Sequence, residues 1–307
     1  MSQPFFDRLP LSRYDLDRDY LAREKPALFE ELFADPATRV LPLFSGAAML
    51  KSPTELALVA PTAIPSAELL VYLGRTTTST ATEPAGTPIV AAVLNDAGHL
   101  AEADWGSLRS LGTVLSDRDA GLFTEALGIV NWHDSHRFSP KTGEATIPAK
   151  GGWVRVDPAG AEIYPRTDAA IIVGITDADD RLLLGRNAMW ESNRYSLLAG
   201  FVEPGESLEN AVKREVFEES GLRVVDPVYL GSQPWPFPAS LMLGFTAKLD
   251  PASDGIGAPD GTEILEVRWF SRDELAASLD EIMLPGYTSI ARAIIEEWFG
   301  GPIADGA

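Results

Sequence analysis

Cysteine is absent from the 307 residues of this chain. Its absence excludes disulfide bonds, thiolate nucleophiles and cysteine-ligated zinc. Histidine is nearly absent as well, with three residues, so few nitrogen ligands remain for a soft metal ion. Any metal ion is therefore expected to be a hard cation held by oxygen atoms.

Basic residues are scarce relative to acidic ones. The chain has 25 lysines and arginines against 45 aspartates and glutamates, a formal net charge of -20. Such a charge repels the phosphate backbone of nucleic acids, although it leaves room for a local basic site. An extensive DNA- or RNA-binding surface is therefore not expected.

Long hydrophobic runs are missing too. The apolar run at residues 169–175 is far shorter than the roughly 20 residues that cross a bilayer. The first twenty residues contain four aspartates and none of the apolar core that a secretory signal needs. We therefore expect no membrane association and a cytoplasmic location. The rest of the composition, 45% hydrophobic and 23% charged, is typical of a globular protein.

The length suggests two domains, because a domain has roughly 100–200 residues. Short apolar runs separated by Pro, Gly and Ser predict a β-rich N-terminal domain. A helical pattern at residues 118–132, followed by a glycine- and proline-rich stretch, predicts a linker module. Strands and helices then mix without strict alternation, which indicates an α+β fold. The predicted segments are the N-terminal domain 1–121, the linker 122–166, the C-terminal domain 167–299 and a flexible tail 300–307.

Individual elements are predicted from apolar runs and turn residues. The predicted N-terminal strands are 40–44, 56–60, 69–73 and 89–94, with a hairpin turn at 95–98 and a mobile polar loop at 76–86. A hairpin is predicted around 153–164. The predicted C-terminal strands are 170–176, 182–186, 228–230, 241–249 and 265–270, and the predicted helices are 207–220 and 289–299.

The helix predicted at 207–220 carries an unusual stripe that begins apolar and ends ionic. At about 100° per residue, the residues on this stripe are Leu208, Ala211, Val212, Glu215 and Glu219. Glu218 lies beside the two glutamates, so three acids fall within about one turn. Carboxylates on an inward stripe are unfavourable unless they are neutralised, and a divalent cation with oxygen ligands would neutralise them. The alternative is a solvated acidic helix end.

The residues around this helix resemble a known motif. Gly200 and Glu206 precede the run REVFEESGL at residues 214–222, and this 23-residue segment resembles the Nudix box. The resemblance implies a loop, helix and loop in an α/β/α sandwich that holds Mg²⁺ or Mn²⁺ against a pyrophosphate. It implies that Arg214 orients a carboxylate and that Glu206 braces the loop. The implied metal ligands are the Ala199 carbonyl, Glu215, Glu219 and Glu263. Glu266 is the alternative to Glu263, and Glu218 is either a further ligand or the catalytic base.

A second motif follows the box. The sequence SQPWPFPAS at residues 232–240 resembles the signature of the NADH pyrophosphatase family. Three prolines stiffen this segment, so Trp235 and Phe237 would be presented to a flat base with little freedom left to lose. The alternative is a proline-rich connector whose aromatic rings pack in a core. The substrate-binding residues implied by the resemblance are Gln233, Pro234, Trp235, Pro236, Phe237, Pro238, Ala239, Ser240, Arg109, Tyr164 and Ala291.

The chain departs from this family at the zinc ribbon. Ser139 and Thr142 stand where the family has its first cysteine pair, and the second pair, expected near residues 156–159, is missing. Hydroxyl groups do not replace thiolates on zinc, so no zinc is expected and the segment is predicted to be a metal-free hairpin. His133 and His136 form an isolated HxxH, which is more often incidental than a metal site. The resemblance also implies a homodimer.

The two motifs together predict hydrolysis of the pyrophosphate of NADH or NAD⁺ to a nicotinamide mononucleotide and AMP. Removal of NAD caps from RNA 5′ ends would use the same bond. One alternative is a Nudix hydrolase for ADP-ribose or other nucleoside diphosphate derivatives, against which residues 232–240 argue. The other is a non-catalytic Nudix-like sensor of dinucleotides, against which the three retained glutamates argue.

Overall fold

The computed structural model describes residues 4–64, 66–253 and 255–304. The chain divides into two compact units. The first unit combines the N-terminal segment that ends at Ser12 with Asp168–Pro234 and the residues from Ser240 onward. The second unit contains Arg13–Thr167 and the short segment Trp235–Ala239. A small piece of the C-terminal half therefore belongs with the N-terminal half.

The second unit is built on a mixed sheet with the strand order β1-β5-β6-β2-β3-β4, and β7 pairs with β3. Strands β2 and β6 run parallel, and the other pairs in this sheet are antiparallel. Its strands are β1 (Leu16–Asp17), β2 (Arg39–Phe44), β3 (Ala47–Ser52), β4 (Glu55–Leu56), β5 (Leu69–Thr76), β6 (Pro88–Val93) and β7 (Trp105–Gly106). Its helices are α1 (Leu28–Ala34), α2 (Leu108–Leu111) and α3 (Asp117–Ser135).

Three N-terminal predictions differ from this sheet. The strand expected at 56–60 is wrong beyond its start, because β4 ends at Leu56. The hairpin expected at 95–98 is wrong, because β6 pairs with β5 and β2 and the chain continues into a 3-10 turn at Gly98–Leu100. The polar loop at 76–86 is anchored, since the buried Glu83 carboxylate accepts from Thr80 (2.7 Å) and pairs with Arg118 (3.2 Å).

The ribbon-like part of the second unit is a three-stranded antiparallel sheet of β8 (Ile147–Ala149), β9 (Val154–Val156) and β10 (Glu162–Ile163). The hairpin predicted at 153–164 is confirmed by the pairing of β9 with β10. Its turn is closed by Asp157, whose Oδ1 accepts from the amides of Ala159 (3.0 Å) and Ala161 (2.9 Å). Side-chain capping thus shapes the turn where the family has its second cysteine pair.

Arg155 fills the centre of this ribbon. Its buried guanidinium donates to the Thr146 hydroxyl (2.6 Å), the Thr146 carbonyl (2.7 Å) and His133 Nδ1 (2.9 Å). Since arginine only donates, His133 Nδ1 accepts, and its Nε2–H donates to the Gly152 carbonyl at 2.6 Å. Burial lowers the pKa of His133 to about 4, in keeping with this neutral form. Both nitrogens of His133 therefore serve the fold.

The first unit is built on a sheet with the order β14-β15-β11-β12-β16, and β13 pairs with β11. Strands β11 and β15 run parallel, whereas β11 pairs antiparallel with β12 and β13. Its strands are β11 (Asp168–Thr176), β12 (Leu182–Asn187), β13 (Leu198–Phe201), β14 (Val224–Trp235), β15 (Ser240–Leu249) and β16 (Ile264–Phe270). Its helices are α4 (Leu208–Ser220), α5 (Arg272–Ser278) and α6 (Ile290–Phe299).

Both faces of this sheet are covered, and β11 shows why. Its side chains alternate, so Ile171 and Val173 enter the apolar cluster that contains Val212 of α4. Ile172 points the other way, into the cluster that contains Ile294 of α6. The result is the predicted α/β/α sandwich within an α+β chain. None of the helices in residues 4–64, 66–253 and 255–304 is long and apolar enough to cross a membrane.

Candidate functional site

The acidic helix α4 has clear local signals at both ends. Ser207 accepts a hydrogen bond from the Asn210 amide as the N-cap, and Gly221 ends the helix in the left-handed conformation at φ 68°. Ala211, Val212 and Val216 are fully buried against the sheet. One face of the helix therefore packs against the sheet, and Glu215 and Glu219, which continue this face, also point inward.

Gly200 on β13 is required by the approach of Glu215. A Cβ atom at residue 200 would lie 1.9 Å from the Glu215 carboxyl carbon, closer than any real contact. Only glycine leaves room for this carboxylate against the strand. The glycine of the motif is thus explained by the side chain that it admits.

Arg214 ties the loop before α4 to the acidic helix. Its guanidinium binds both Glu206 oxygens (2.8 and 2.9 Å), the Glu215 carboxylate (2.8 Å) and the Glu218 carboxylate (2.9 Å). It also donates to the Phe201 carbonyl at 2.9 Å. The bond to Glu206, the largest influence, raises the pKa of Arg214, and the same bond lowers the pKa of Glu206. The expected pairing with Glu218 and the bracing by Glu206 are both present.

Glu219 is the most perturbed acid of the cluster. It is 6% exposed, and its Oε2 has no hydrogen-bond partner. Burial raises its pKa to about 8, with further increases from the charges of Glu263, Glu215 and Asp260. A bond from the Ala199 backbone acts in the opposite direction. This carboxylate is thus desolvated, surrounded by like charges and short of a positive partner.

The other acids differ in exposure. The side chain of Glu215 is 14% exposed, and burial raises its pKa against the opposing effect of Arg214. The side chain of Glu218 is 57% exposed. Glu263 raises the pKa of both Glu215 and Glu219, so it lies with the cluster. Its competitor Glu266 pairs with Arg186 at 3.4 Å.

Sequence reasoning missed Asp260. Its carboxylate accepts the amides of Glu263 (3.0 Å) and Ile264 (2.7 Å), and these bonds lower its pKa. The local sequence Asp-Gly-Thr is a turn signal that would have located it. Asp260 therefore shapes the turn that presents Glu263.

The donor set fits a hard divalent cation. Carboxylate oxygens are the ligands that Mg²⁺ and Mn²⁺ prefer, and the buried unpartnered oxygen of Glu219 is the atom that most needs a cation. Within the described residues no three such side chains already surround one point as a finished metal site. Arg214 engages one oxygen each of Glu215 and Glu218, which leaves the second oxygen of each carboxylate for another partner.

The proline-rich motif is divided between the units. Gln233 is buried in the first unit, and its Nε2 donates to the Thr288 carbonyl at 2.8 Å. Trp235–Ala239 belongs to the second unit, and we call it the recognition loop. The rings of Trp235 and Phe237 meet edge to face with centroids 5.0 Å apart. The two aromatic residues of the motif therefore form one aromatic pair.

Arg109 of α2 stacks on this aromatic pair. Its Cζ lies 3.9 Å from the ring centroid of Phe237 and 5.1 Å from that of Trp235. Its cation thus covers one side of the rings. The structure does not bring every predicted residue to such a cluster, since Ala291 is 2% exposed in the apolar cluster on the α6 face. Tyr164 is exposed in the second unit, where its hydroxyl donates to Glu162.

Two family models match the chain. A NUDIX domain matches residues 165–291, and an NADH pyrophosphatase-like rudimentary NUDIX domain matches residues 37–132. The chain is 49% identical over 202 residues to the NAD-capped RNA hydrolase NudC of Mycobacterium bovis (strain BCG / Pasteur 1173P2), covering 62% of this chain and 64% of that protein. It is 34% identical over 199 residues to the human NAD-capped RNA hydrolase NUDT12, covering 60% and 42%.

These matched regions span less than two thirds of the length of the curated relatives. A solved NUDIX hydrolase from Nitrosomonas europaea is 24% identical with a TM-score of 0.43, covering 54% of this chain and 94% of that one. The two family models cover both units and include the acidic helix. The chain therefore contains a NUDIX domain together with an NADH pyrophosphatase-like rudimentary NUDIX domain.

Proposed function

We propose that this protein hydrolyses the pyrophosphate bond of NADH and NAD⁺ to a nicotinamide mononucleotide and AMP with a divalent metal ion. We propose the same reaction on NAD caps at RNA 5′ ends. The names of the relatives support NAD-capped RNA as a substrate, and the NADH pyrophosphatase-like family model supports NADH. One observation carries the proposal, namely that the buried Glu219 carboxylate has an unpartnered oxygen and lies near three further acids, Glu215, Glu263 and Asp260.

Mg²⁺ or Mn²⁺ would be held by Glu215, Glu219 and Glu263, with Glu218 and the Ala199 carbonyl as further candidate ligands. When bound, such an ion neutralises the pyrophosphate and lowers the pKa of a water molecule. Glu219 is well suited to this role, because a cation removes the unfavourable burial of its charge. Arg214 keeps Glu215 and Glu218 in fixed orientations through its two 2.8–2.9 Å bonds.

The reaction is a displacement at phosphorus. Water forms a new bond to one phosphorus atom while the bond to the bridging oxygen breaks, and the nucleoside monophosphate departs. A carboxylate of the cluster takes the proton of the attacking water, and Glu218 is the candidate because its side chain is the most exposed of the three on α4. Arg214 would hold the protonated and ionised forms of this side chain in place.

Recognition of a base is assigned to the residue 232–240 motif. The edge-to-face pair of Trp235 and Phe237 offers flat apolar surface for stacking. The Arg109 guanidinium over these rings limits their movement and adds positive charge for a phosphate-rich ligand. Gln233 fixes the start of the motif through Thr288.

The products of NADH test the proposal directly. The full chain is incubated with NADH and Mn²⁺, and the products are separated by chromatography. We expect equal amounts of reduced nicotinamide mononucleotide and AMP, with no turnover after chelation of the metal ion. Unchanged NADH in the presence of Mn²⁺, or hydrolysis of ADP-ribose alone, would contradict the proposed substrate.

A further inference from the structure

Asn131 on α3 holds the backbone of the recognition loop, and both belong to the second unit. Its Nδ2 donates to the Pro236 carbonyl at 2.9 Å and to the Pro238 carbonyl at 3.1 Å. Carbonyl groups only accept, so the NH₂ end of the amide must face the loop. Both amide protons are thereby committed to two carbonyls that lie two residues apart.

The recognition loop can form few hydrogen bonds within itself. Prolines lack the backbone N–H, so this segment offers carbonyl acceptors with few internal donors. Within it the Phe237 amide donates to the Trp235 carbonyl at 2.7 Å. Asn131 supplies the donors for the two proline carbonyls, and Arg109 lies against the rings of Trp235 and Phe237. The loop is therefore held at its backbone by α3 and at its rings by α2.

We propose that Asn131 is a positioning residue, which sets the rings of Trp235 and Phe237 in the orientation that receives a base of the dinucleotide. The inference rests on the proposed function for its substrate, but the clamp itself is a property of the free protein. Asn131 acts through the loop backbone, so replacing its side chain would weaken binding of the base. Asparagine is needed because two N–H groups must emerge from one short side chain.

Hydrogen exchange tests the clamp without any substrate. Asn131→Leu removes both donors at similar volume, and Asn131→Asp keeps the shape but sets a negative oxygen against two carbonyls. Asp134→Asn is the matched control, because Asp134 lies on the same helix with its side chain 75% exposed. We expect amide exchange in a peptide covering residues 231–241 to rise several-fold in both Asn131 variants and to stay unchanged in the control. Unchanged exchange in a folded variant would overturn the clamp.

Kinetics test what the clamp is for. With NADH we expect KM to rise on the order of tenfold to 100-fold in the Asn131 variants, the loss of two ordinary hydrogen bonds, while kcat changes less. A small pyrophosphate diester without a base should be hydrolysed as by the wild type. In a Trp235→Ala background, Asn131→Leu should add little to KM, because the two residues act as one unit.

The two experiments separate the possible failures. Equal losses on both substrates, or an unchanged KM for NADH in a variant with a loosened loop, would overturn the positioning role. If the wild type leaves NADH intact, the proposed function fails, and the exchange experiment still decides whether the clamp exists. If Asn131→Leu does not fold, the isosteric Asn131→Asp variant decides by the same measurements.

Discussion

Three glutamates within about one turn of α4 occupy three different environments. Glu219 is buried without a partner for one oxygen, Glu215 is mostly buried but paired with Arg214, and Glu218 is mostly exposed. Burial and the charges of neighbouring acids raise the pKa of Glu215 and Glu219. Sequence spacing predicted that Glu215 and Glu219 share an inward face, because helical periodicity fixes the face. The preference for Glu263 over Glu266 came from the resemblance and not from helical spacing, because Glu263 lies outside α4 and is presented by the Asp260 turn.

A variant at Trp235 distinguishes a role of this ring in base recognition from a role in core packing. Replacing Trp235 with alanine should lower kcat/KM for NADH about tenfold to 150-fold, since stacking a base on an aromatic ring is worth roughly 1–3 kcal/mol. Hydrolysis of a pyrophosphate diester without the base should change much less. Similar losses for both substrates, together with a lower melting temperature, would show that the ring is structural instead.

Glu125 on α3 should make stability depend on pH. Burial raises its pKa to about 7, and the charges of Arg18 and Arg23 and the nearby Tyr14 side chain act in the opposite direction. Because the folded pKa lies above the unfolded value near 4.5, the folded state keeps a proton that the unfolded state loses. Stability is therefore lost as pH rises from about 4.5 to about 7, by roughly 3 kcal/mol at most.

The Glu125→Gln variant checks this sign. Relative to the wild type, it should gain stability as pH rises from 5 to 7 and then level off. Urea unfolding at several pH values measures the difference, and Glu144→Gln is the control because Glu144 is exposed. A constant difference between Glu125→Gln and the wild type across this range would contradict the prediction.

At the scale of elements, the ribbon-like sheet is built around a hydrogen-bonded centre. Asp157 closes the turn, and Arg155 joins β9 to Thr146 and His133. The hairpin was predictable from the turn residues of the glycine- and proline-rich stretch. The role of Arg155 was not, because its partners lie nine and 22 residues away and no local pattern connects them.

Arg155→Met should therefore destabilise the second unit by about 2–4 kcal/mol, because it leaves His133 Nδ1 and Thr146 groups buried without donors. Thermal unfolding measures the loss. On the same basis, protein purified without added metal should contain well below one zinc per chain, and a zinc chelator should leave its melting temperature unchanged. One tightly held zinc ion would contradict this account of the ribbon.

Other elements show where sequence patterns reach their limit. The apolar run at residues 170–176 predicts β11, and the helical pattern at residues 207–220 predicts α4, because these signals are local. The strand β3 (Ala47–Ser52) was not predicted, since its sequence AAMLKS has no clear alternation and its pairing with β2 and β7 is a tertiary property. The hairpin turn at residues 95–98 was wrongly predicted for a similar reason, because the pairing of β6 with β5 and β2 is a tertiary property.

At the scale of the whole molecule, the remaining predictions depend on the net charge of -20 and on the two NUDIX-related domains. The negative charge disfavours contacts along a long stretch of the RNA backbone, so a capped 5′ end should be recognised mainly through its dinucleotide. The homodimer and the cytoplasmic location stay predictions from the resemblance and the composition. The proposed hydrolysis depends on the acidic cluster, and the most buried glutamate of that cluster on α4 is Glu219.

Glu219→Gln in the full-length protein is the most direct test of that cluster. Glutamine keeps the size but removes the negative ligand, so NADH turnover with Mn²⁺ should fall by orders of magnitude. The affinity for Mn²⁺, followed by electron paramagnetic resonance, should fall with it. The melting temperature without metal should not decrease, because glutamine has nearly the same shape and replaces a buried carboxyl group whose Oε2 has no hydrogen-bond partner. A folded Glu219→Gln variant that binds Mn²⁺ and hydrolyses NADH like the wild type would contradict the account.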